Sequence, residues 1–323
     1  MTNLATLAQA IRDSRGLAAK AEISGVSARL GLDGGAAIRV GDDCAAIPDH
    51  DSYLLLAIEG FINAFVADDP WFAGFCAVMV NISDVAAMGG RPIAIVDAVW
   101  APGGDKAAPV LDGMKAASKI FGVPIVGGHS NLSCDHEQLS AAILGRAQKL
   151  LTSFDARPGN RVVMAVDLRG RYRDPFSNWE AATDAPPGRL RGDLELLPLI
   201  AEGGLAVAAK DISQAGVVGT AAMLAECSDV GVTIDVAAIP KPAGVPLERW
   251  LLTFPSYGYL IAVAPDKVGA VTALFHQRDI AAADIGGFSD GARVLISDGS
   301  RHEIIWDFIA APLLGCVSRN VPA

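Results

Sequence analysis

The chain has 323 residues, of which 51% are hydrophobic and 19% are charged, and its formal net charge is −10. This length and composition predict a compact soluble protein of about two domains. The acidic balance argues against a nucleic-acid partner, because binding to phosphate backbones needs clustered Lys and Arg. No uninterrupted apolar run reaches the roughly 18 residues of a membrane span, and the N-terminus lacks a signal-peptide core. We therefore expect a cytoplasmic protein that has no membrane partner.

The five cysteines are odd in number, widely spaced and without a C-x-x-C pair: Cys44, Cys76, Cys134, Cys227 and Cys316. This spacing predicts neither a disulfide framework nor a zinc site. We expect reduced thiols that are mostly buried.

Residues 71–90, WFAGFCAVMVNISDVAAMGG, predict a buried helix, because apolar side chains occupy nearly every face. Asn81 and Asp84 are three residues apart and share one face. A carboxylate without a partner is costly to remove from water, so Asp84 is expected to face a metal ion, a basic group or a water-filled cleft. A cap or a single buried hydrogen bond is the alternative.

The first half of the chain predicts alternating strands and helices. The expected helices are residues 1–30, 71–90 and 105–121, and the expected strands are residues 37–40, 53–58, 92–101, 123–126 and 139–145. This order favours an α+β fold in which helices cover one face of a sheet. We place the domain boundary at residue 150, which gives domains 1–150 and 151–323.

Acidic or polar residues follow three of these predicted strands. Asp42 and Asp43 form a turn that suits either a divalent cation or a helix N-cap. Glu59 ends the second strand. The segment Gly127, Gly128, His129, Ser130 and Asn131 follows a later strand, and its glycines would let the backbone approach a ligand closely.

The second half opens with the strand 161–166 and a polar insertion at residues 169–191. The insertion either binds an anionic or aromatic substrate or forms an exposed loop with a few anchoring aromatic residues. The segment KDISQAG then precedes a helix at residues 217–227, with Ser213 placed to cap it and Asp211 near its N-terminus. Later elements are expected as strands 232–235, 257–264, 280–285 and 292–297 and a helix at 266–277.

Several nucleotide and hydrolase motifs are absent from the sequence. The P-loop, the Rossmann fingerprint and the protein-kinase motifs do not occur. The zincin H-E-x-x-H pattern is excluded because Ser140 and Trp306 occupy the positions of its second histidine. A G-x-S-x-G nucleophile elbow is also missing.

The ordered set GDDCAAI, LLLAIEGF, AVMVNISDVAAMGGRP, IVGGHSN and KDISQAG resembles a superfamily over most of the chain. Its members are aminoimidazole ribonucleotide (AIR) synthetase, thiamine-monophosphate kinase, selenophosphate synthetase and the hydrogenase-maturation dehydratase. The resemblance implies two domains, the N-terminal sheet forming a barrel across a homodimer and the C-terminal domain an α/β sandwich. It also implies ATP and Mg²⁺ as cofactors and transfer of the γ-phosphate to a small molecule, or its use to activate one.

The resemblance assigns roles to individual residues. It makes Asp42, Asp43, Asp84 and Asp211 the ligands of Mg²⁺ and phosphate, in agreement with the preference of Mg²⁺ for carboxylates. The implied nucleotide contacts are Asp42, Asp43, Glu59, Asn81, Gly127, Gly128, Ser130 and Asn131. The implied catalytic residues are Asp84, His129 and Asp211.

Three positions differ from the thiamine-monophosphate kinases. Glu59 stands where relatives have the Asp of a T-D-G motif, and Gln214 replaces a second Asp. His129 matches the GGHS form of selenophosphate synthetases. A selenophosphate synthetase-like enzyme, a non-catalytic nucleotide-binding protein and a metal hydrolase therefore stand as alternatives.

The acceptor is expected to be a small anionic or heterocyclic molecule. Arg171 and Arg173 would hold an anion, and Trp179 or Tyr257 would stack on a ring. A homodimer is expected on residue grounds as well, because the strand at 53–58 is too apolar for an open sheet face.

Overall fold

The structure is a computed structural model that describes residues 3–32 and 38–316. The chain divides into two compact units, each made of separate stretches of sequence. Unit 1 comprises Met1–Asp43, Leu151–Ala181 and Ile200–Ala323, and unit 2 comprises Cys44–Leu150 and Ala182–Leu199. The expected boundary at residue 150 is thus one of several points where the chain passes from one unit to the other.

The described residues form ten α-helices, which are α1 (Leu4–Arg12), α2 (Arg15–Arg29), α3 (Asn63–Asp68), α4 (Pro70–Ala87), α5 (Gly104–Phe121), α6 (Pro187–Leu194), α7 (Leu196–Glu202), α8 (Gly216–Cys227), α9 (Leu247–Leu251) and α10 (Val268–His276). They also form fifteen strands, which are β1 (Ala45–Asp49), β2 (Ser52–Gly60), β3 (Arg91–Pro102), β4 (Ile125–Asn131), β5 (Ser133–Ala147), β6 (Arg161–Val166), β7 (Arg171–Tyr172), β8 (Asn178–Glu180), β9 (Ala208–Asp211), β10 (Gly231–Asp235), β11 (Phe254–Pro255), β12 (Gly258–Val263), β13 (Ala281–Ser289), β14 (Arg293–Ser297) and β15 (His302–Asp307).

Unit 2 is built on a five-stranded sheet in the order β1-β2-β5-β3-β4. All neighbours are antiparallel except β3 and β4, which run parallel. Helix α4 packs against β2, β3 and β5, and α5 packs against α4 and β3. The sheet is open within this chain, and the mixed α+β architecture expected from the sequence is confirmed.

Helix α4 is the predicted core helix. Asp69 caps it by accepting the backbone N–H of Phe72 at 3.3 Å, and Gly89 follows it with a φ of 75°. Every residue from Phe72 to Ala87 is buried, which confirms the buried helix expected at 71–90. By length and composition alone α4 could cross a membrane, but 89% of it is buried inside the protein, as in the core helix of a soluble protein.

The opposite face of the unit 2 sheet is apolar and exposed. Leu56 and Ile58 on β2 alternate with the fully buried Leu55, and they are 47% and 69% exposed. In register with them on β3 and β4 lie Val96, 44% exposed, and the neighbouring Val126, 63% exposed. Alternate side chains of a strand point to opposite faces, so one face meets the helices while the other presents aliphatic side chains to solvent.

Unit 1 contains a seven-stranded sheet in the order β15-β14-β10-β13-β6-β12-β9. Only β10 and β14 pair in parallel. Helix α8 is buried along its whole length and packs against β9, β10, β12 and β14. It begins without a side-chain cap, so the predicted capping role of Ser213 is wrong, and the N–H of Ser213 instead donates to Oγ1 of Thr220 at 3.4 Å.

The polar insertion at residues 169–191 is partly ordered, because its strands β7 and β8 form a small sheet with β11. Trp179 on β8 is only 6% exposed, packs edge-on against Tyr172 and Trp250, and donates its indole N–H to the carbonyl of Asp167 at 3.0 Å. Trp179 therefore belongs to the core of unit 1, and the partly buried Tyr172 packs against that core.

Two further expectations need correction. The strand expected at 37–40 is not formed at residues 38–40, and Ala37 lies outside the described residues. The segment that follows is held by side-chain hydrogen bonds of Asp42 and Asp43 rather than by a strand ladder. The expectation of reduced cysteines is wrong for Cys227 and Cys316, which form a disulfide.

Candidate functional site: a buried lysine among three aspartates

Unit 1 brings together five residues that we call the lysine cluster: Gly41, Asp42, Asp43, Lys210 and Asp211. Strand β9 supplies Lys210 and Asp211 because it pairs with β12 at the edge of the sheet. The Lys210 ammonium forms an ion pair with Oδ1 of Asp43 and donates to the carbonyl of Gly41 at 3.3 Å. The other oxygen of Asp43 accepts the N–H of Asp211 at 3.1 Å. Asp43 therefore joins the turn before β1 to the end of β9.

Burial and charge together set the pKa values in this cluster. Lys210 is only 5% exposed. Burial alone would lower its pKa, but the Asp43 and Asp42 carboxylates raise the Lys210 pKa above its usual range. Burial raises the pKa of Asp42 to about 7, although Lys210 and the N–H of Ser153, 2.7 Å from Oδ1, oppose that rise. The lysine is thus held charged, while Asp42 titrates near neutral pH.

The donor set of the cluster fits a hard cation. Carboxylate oxygens of Asp43 and Asp211 lie within 4.8 Å of one another, and Asp211 is buried. Oxygen ligands of this kind are those that Mg²⁺ prefers. An ammonium such as that of Lys210 is a compact positive charge that also binds phosphate. The cluster therefore suits a phosphate group that carries a divalent ion.

Lys210 was not assigned a role from the sequence, although it stands in the segment KDISQAG. The missing information was the strand β9, which is too short to show a period. A lysine inside a buried strand is the signal that would have singled it out, since buried lysines are rare unless they are paired.

Asn81 and Asp84 lie on the buried helix α4 of unit 2. The Asn81 amide donates to the carbonyls of Ala77 at 2.8 Å and of Ala141 at 3.1 Å. Its Oδ1 atom has no hydrogen-bond partner within residues 3–32 and 38–316. Asp84 is 5% exposed. Helix α4 therefore places both Asn81 and Asp84 in the protein interior.

A row of residues that crosses the unit 2 sheet carries two carboxylates. We call it the sheet row: Glu59, Ala141, Asp97 and Gly128. These residues are register partners on β2, β5, β3 and β4. The half-buried Asp97 has a pKa raised by burial. A Cβ atom at Gly128 would clash with the Asp97 carboxylate and come within 2.7 Å of the Asp97 carbonyl oxygen. The glycine thus leaves the space that this carboxylate occupies.

Asp97 was not proposed as a site residue from the sequence. The available signal was an aspartate inside the otherwise apolar run PIAIVDAVWA. Two residues predicted to contact the nucleotide, Glu59 and Gly128, share its sheet row, and the Asn81 amide donates to the carbonyl of Ala141 in the same row.

The segment 127–131, expected to follow a strand that ends at residue 126, is itself part of a strand. It forms most of β4, at the edge of the sheet, where parallel pairing with β3 fixes it. His129 is exposed and lies 6.2 Å from the ring of Trp100, measured between ring centroids. Ser130 and Asn131 are also exposed, and Asn131 accepts the N–H of Ser133 at 3.0 Å. These groups are accessible to a ligand along an edge strand.

The expected acceptor residues all belong to unit 1, but they differ in accessibility. Arg171 is exposed and lies 3.9 Å from the Glu180 carboxylate. Tyr257 is only 7% exposed and packs edge-on against Tyr259. Because the rings of Trp179 and Tyr257 are in the protein interior, their expected role in stacking on a substrate is not supported by this packing.

Comparison with known proteins finds a matching domain family for each half of the chain. The N-terminal domain model of AIR synthase related proteins matches residues 41–147, and the C-terminal domain model matches residues 179–297. An uncharacterized protein of Synechocystis is 47% identical over 87% of this chain and 88% of its own length. The thiamine-monophosphate kinase of Halobacterium salinarum is 29% identical over 85% of this chain and 99% of its own length.

The fold also matches a solved structure. The PurL protein of T. maritima complexed with ATP superposes with a TM-score of 0.74 at 18% identity, over 91% of this chain. This chain spans about half of that protein, 49% of its length. With two family models along the sequence and a 47% identical member covering most of it, the chain belongs to the AIR synthase related protein family.

Proposed function

We propose that the protein is an enzyme that transfers the γ-phosphate of Mg²⁺-ATP to a small acceptor, or uses it to activate one. The observation that carries this proposal is the lysine cluster, in which Asp43, Lys210 and Asp211 combine two carboxylates and a buried cation. Family membership supports it, because one relative is named a thiamine-monophosphate kinase and a structural neighbour is complexed with ATP.

Within this proposal Asp43 and Asp211 hold the metal ion, and Asp42 contributes a further carboxylate. When bound, Mg²⁺ supplies positive charge to the phosphate oxygens. Lys210 holds Asp43 in place through its ion pair and adds a second positive charge. The role of Asp84 as a further ligand remains a prediction from the sequence, since Asp84 belongs to the other compact unit.

The nucleotide contacts proposed for unit 2 lie on helix α4, on the sheet row and on the edge strand β4. Glu59, Asn81 and the backbone of 127–131 supply acceptors and donors there. His129 is proposed to act on the transferred phosphate, because its imidazole is exposed and able to donate a hydrogen bond. These roles follow from the family resemblance.

Nucleotide binding is tested by thermal unfolding with ATP, in Mg²⁺ and in chelator. We expect ATP to raise the melting temperature much more when Mg²⁺ is present. Asp211→Asn should remove most of the metal-dependent part of that shift. The control is Asp290→Asn, at an exposed position in the turn after β13, which should retain the shift. Asp84→Asn is expected to behave like Asp211→Asn. Equal shifts with and without Mg²⁺ in the unmodified protein would contradict the metal assignment.

Catalysis is tested separately, by single-turnover formation of ADP from Mg²⁺-ATP with a panel of small phosphate-bearing, carboxylate-bearing and heterocyclic acceptors. We expect at least one acceptor to accelerate ADP formation. Nucleotide binding without any acceptor-dependent turnover would favour a non-catalytic nucleotide-binding protein. The ion pair between Lys210 and Asp43 keeps that alternative open, because it already neutralises one proposed metal ligand.

The acceptor is proposed to be anionic, because the exposed Arg171 and neighbouring Arg173 can pair with phosphate or carboxylate groups. Replacing both arginines by Ala should weaken use of the acceptor while leaving the affinity for Mg²⁺-ATP within a few-fold. A parallel loss of both would indicate a role in folding or nucleotide binding instead.

We also propose a homodimer formed through the exposed aliphatic face of the unit 2 sheet. Contiguous exposed apolar surface of this kind marks interaction sites. Ile58→Asp should yield a monomer in light scattering at micromolar concentration. The matched control is Ile309→Asp, because Ile309 has a similar exposure of 67% but lies after β15 in unit 1. A monomeric unmodified protein would remove this proposal.

A further inference from the structure

Two of the five cysteines meet in unit 1, next to the lysine cluster. Cys227 is the last residue of α8 and is 1% exposed, and it is bonded to Cys316, which lies 89 residues later in the chain. Cys316 is partly exposed. Cys44, Cys76 and Cys134 carry thiols that are not part of a disulfide.

The segment that carries Cys316 is positioned by contacts other than the disulfide. The buried Glu226 carboxylate accepts the backbone N–H groups of Leu313 at 2.9 Å, Leu314 at 2.6 Å and Gly315 at 3.3 Å. Hydrogen bonds to a charged group are stronger than neutral ones. These three hydrogen bonds hold the segment beside Cys227 independently of the bond between the two sulfur atoms.

Each sulfur atom also faces an oxygen acceptor. Sγ of Cys227 is 3.5 Å from the carbonyl oxygen of Gly41, and Sγ of Cys316 is 3.9 Å from Oε2 of Glu226. A thiol can donate a weak hydrogen bond to such an oxygen, whereas a disulfide carries no proton to donate. An acceptor for each thiol proton is therefore already in place for the reduced pair.

The cysteine pair lies directly behind the turn that precedes β1. A Cβ atom at Gly41 would come within 2.6 Å of Sγ of Cys227 and 2.9 Å of Cβ of Cys316, and the φ of Gly41 is 123°. The same Gly41 carbonyl accepts from Lys210, and the next two residues are Asp42 and Asp43. A change in the separation of the sulfur atoms therefore acts on the backbone that positions the proposed metal ligands.

We propose that Cys227 and Cys316 form a thiol–disulfide modification site whose oxidation fixes the Asp42-Asp43 turn. Oxidation proceeds when the Cys316 thiolate attacks a low-molecular-weight disulfide and releases one thiolate from it. The Cys227 thiolate then attacks Cys316 in the mixed disulfide and releases the second. The protein loses two electrons and two protons, and the small disulfide is reduced to two thiols. A small dithiol reverses both steps, beginning at the more accessible Cys316.

The chemistry is tested on the full chain with glutathione disulfide as oxidant and dithiothreitol as reductant, followed by thiol titration and a non-reducing peptide map. We expect the number of titratable thiols in the denatured protein to fall from five to three, with a cross-linked peptide containing Cys227 and Cys316. Cys316→Ser should abolish the cross-link, and the control Cys134→Ser should retain it. An unchanged thiol count, or a cross-link between other cysteines, would overturn the proposal.

The coupling to the turn is tested by amide hydrogen exchange in the two redox states. We expect slower exchange at residues 42–43 and 313–315 in the oxidised protein, and no difference between the two treatments in Cys316→Ser. Equal exchange in both states of the unmodified protein would overturn the coupling.

The effect on nucleotide binding rests on the proposed function, and we expect the Mg²⁺-ATP thermal shift to be larger after oxidation. Loss of nucleotide binding in both redox states would count against the proposed function alone, because the exchange measurement needs no nucleotide. Equal nucleotide shifts alongside an exchange difference would restrict the switch to the turn itself and overturn its effect on the site.

Discussion

The lysine cluster of unit 1 and the sheet row of unit 2 both hold carboxylates partly out of water. The two regions differ in how the protein accommodates these carboxylates. In the cluster, Asp43 is paired with a buried lysine whose pKa is raised by the surrounding carboxylates. In the row, the Asp97 carboxylate occupies space left by the missing side chain of Gly128, and burial raises its pKa. Charge pairing therefore governs the first region and steric fit governs the second.

The largest expected effect comes from removing the buried cation. Lys210→Met should destabilise the protein by about 3–5 kcal/mol, because removal of one partner leaves a buried charge uncompensated. Urea unfolding followed by circular dichroism measures the change. The matched control is Lys106→Met, whose ammonium is exposed and 3.7 Å from Glu137, and which should change the stability by no more than about 0.5 kcal/mol. A similar decrease in the free energy of unfolding in both variants would show that Lys210 does not compensate the buried charge of Asp43.

A smaller effect is expected from filling the space beside Asp97. Gly128→Ala should cost about 1–3 kcal/mol, because the new methyl group overlaps the Asp97 carboxylate and carbonyl. Gly127→Ala is the control, since a Cβ there has no heavy atom within 4 Å. The double variant Gly128→Ala with Asp97→Ala should recover part of the loss, because only the carbonyl overlap remains. Equal unfolding midpoints for the two single variants would rule out the steric account.

A pH dependence is also expected, and it belongs to the lysine cluster. The pKa of Asp42 is about 7 in the folded protein against an ordinary 3.8, so the folded state binds a proton more tightly than the unfolded state. Metal-free stability should then fall as the pH rises from about 4 to about 7, by at most ~1.4 kcal/mol per pH unit, and level off above that range.

Asp42→Asn should reduce the dependence of stability on pH between about 4 and about 7. Urea unfolding in chelator at several pH values measures this dependence. Asp290→Asn, at an exposed position, should leave the curve unchanged. A stability that rises between pH 4 and pH 7 and depends on Asp42 would reverse the assigned direction of the pKa shift.

The elements with strong patterns were predictable. Helix α4 has apolar residues on nearly every face, and strands β2, β3 and β6 are mostly apolar. Each is therefore found within a few residues of its expected position. The short strands β7, β9 and β11 were missed because two to four residues show no period. The strand expected at 123–126 continues through residues 127–131, because parallel pairing with β3 extends it.

The sequence by itself determined the family and the α+β class and predicted Asp42, Asp43, Asp84 and Asp211 as ligands, because these inferences depend on local patterns and ordered motifs. Only the tertiary structure decided which groups stand next to those acids. Lys210 reaches Asp43 across 167 residues of chain, and Cys316 reaches Cys227 across 89. Such contacts depend on how strands and helices pack, and no local spacing in the sequence encodes them. The same packing placed Trp179 in the core and made Gly128 the neighbour of Asp97.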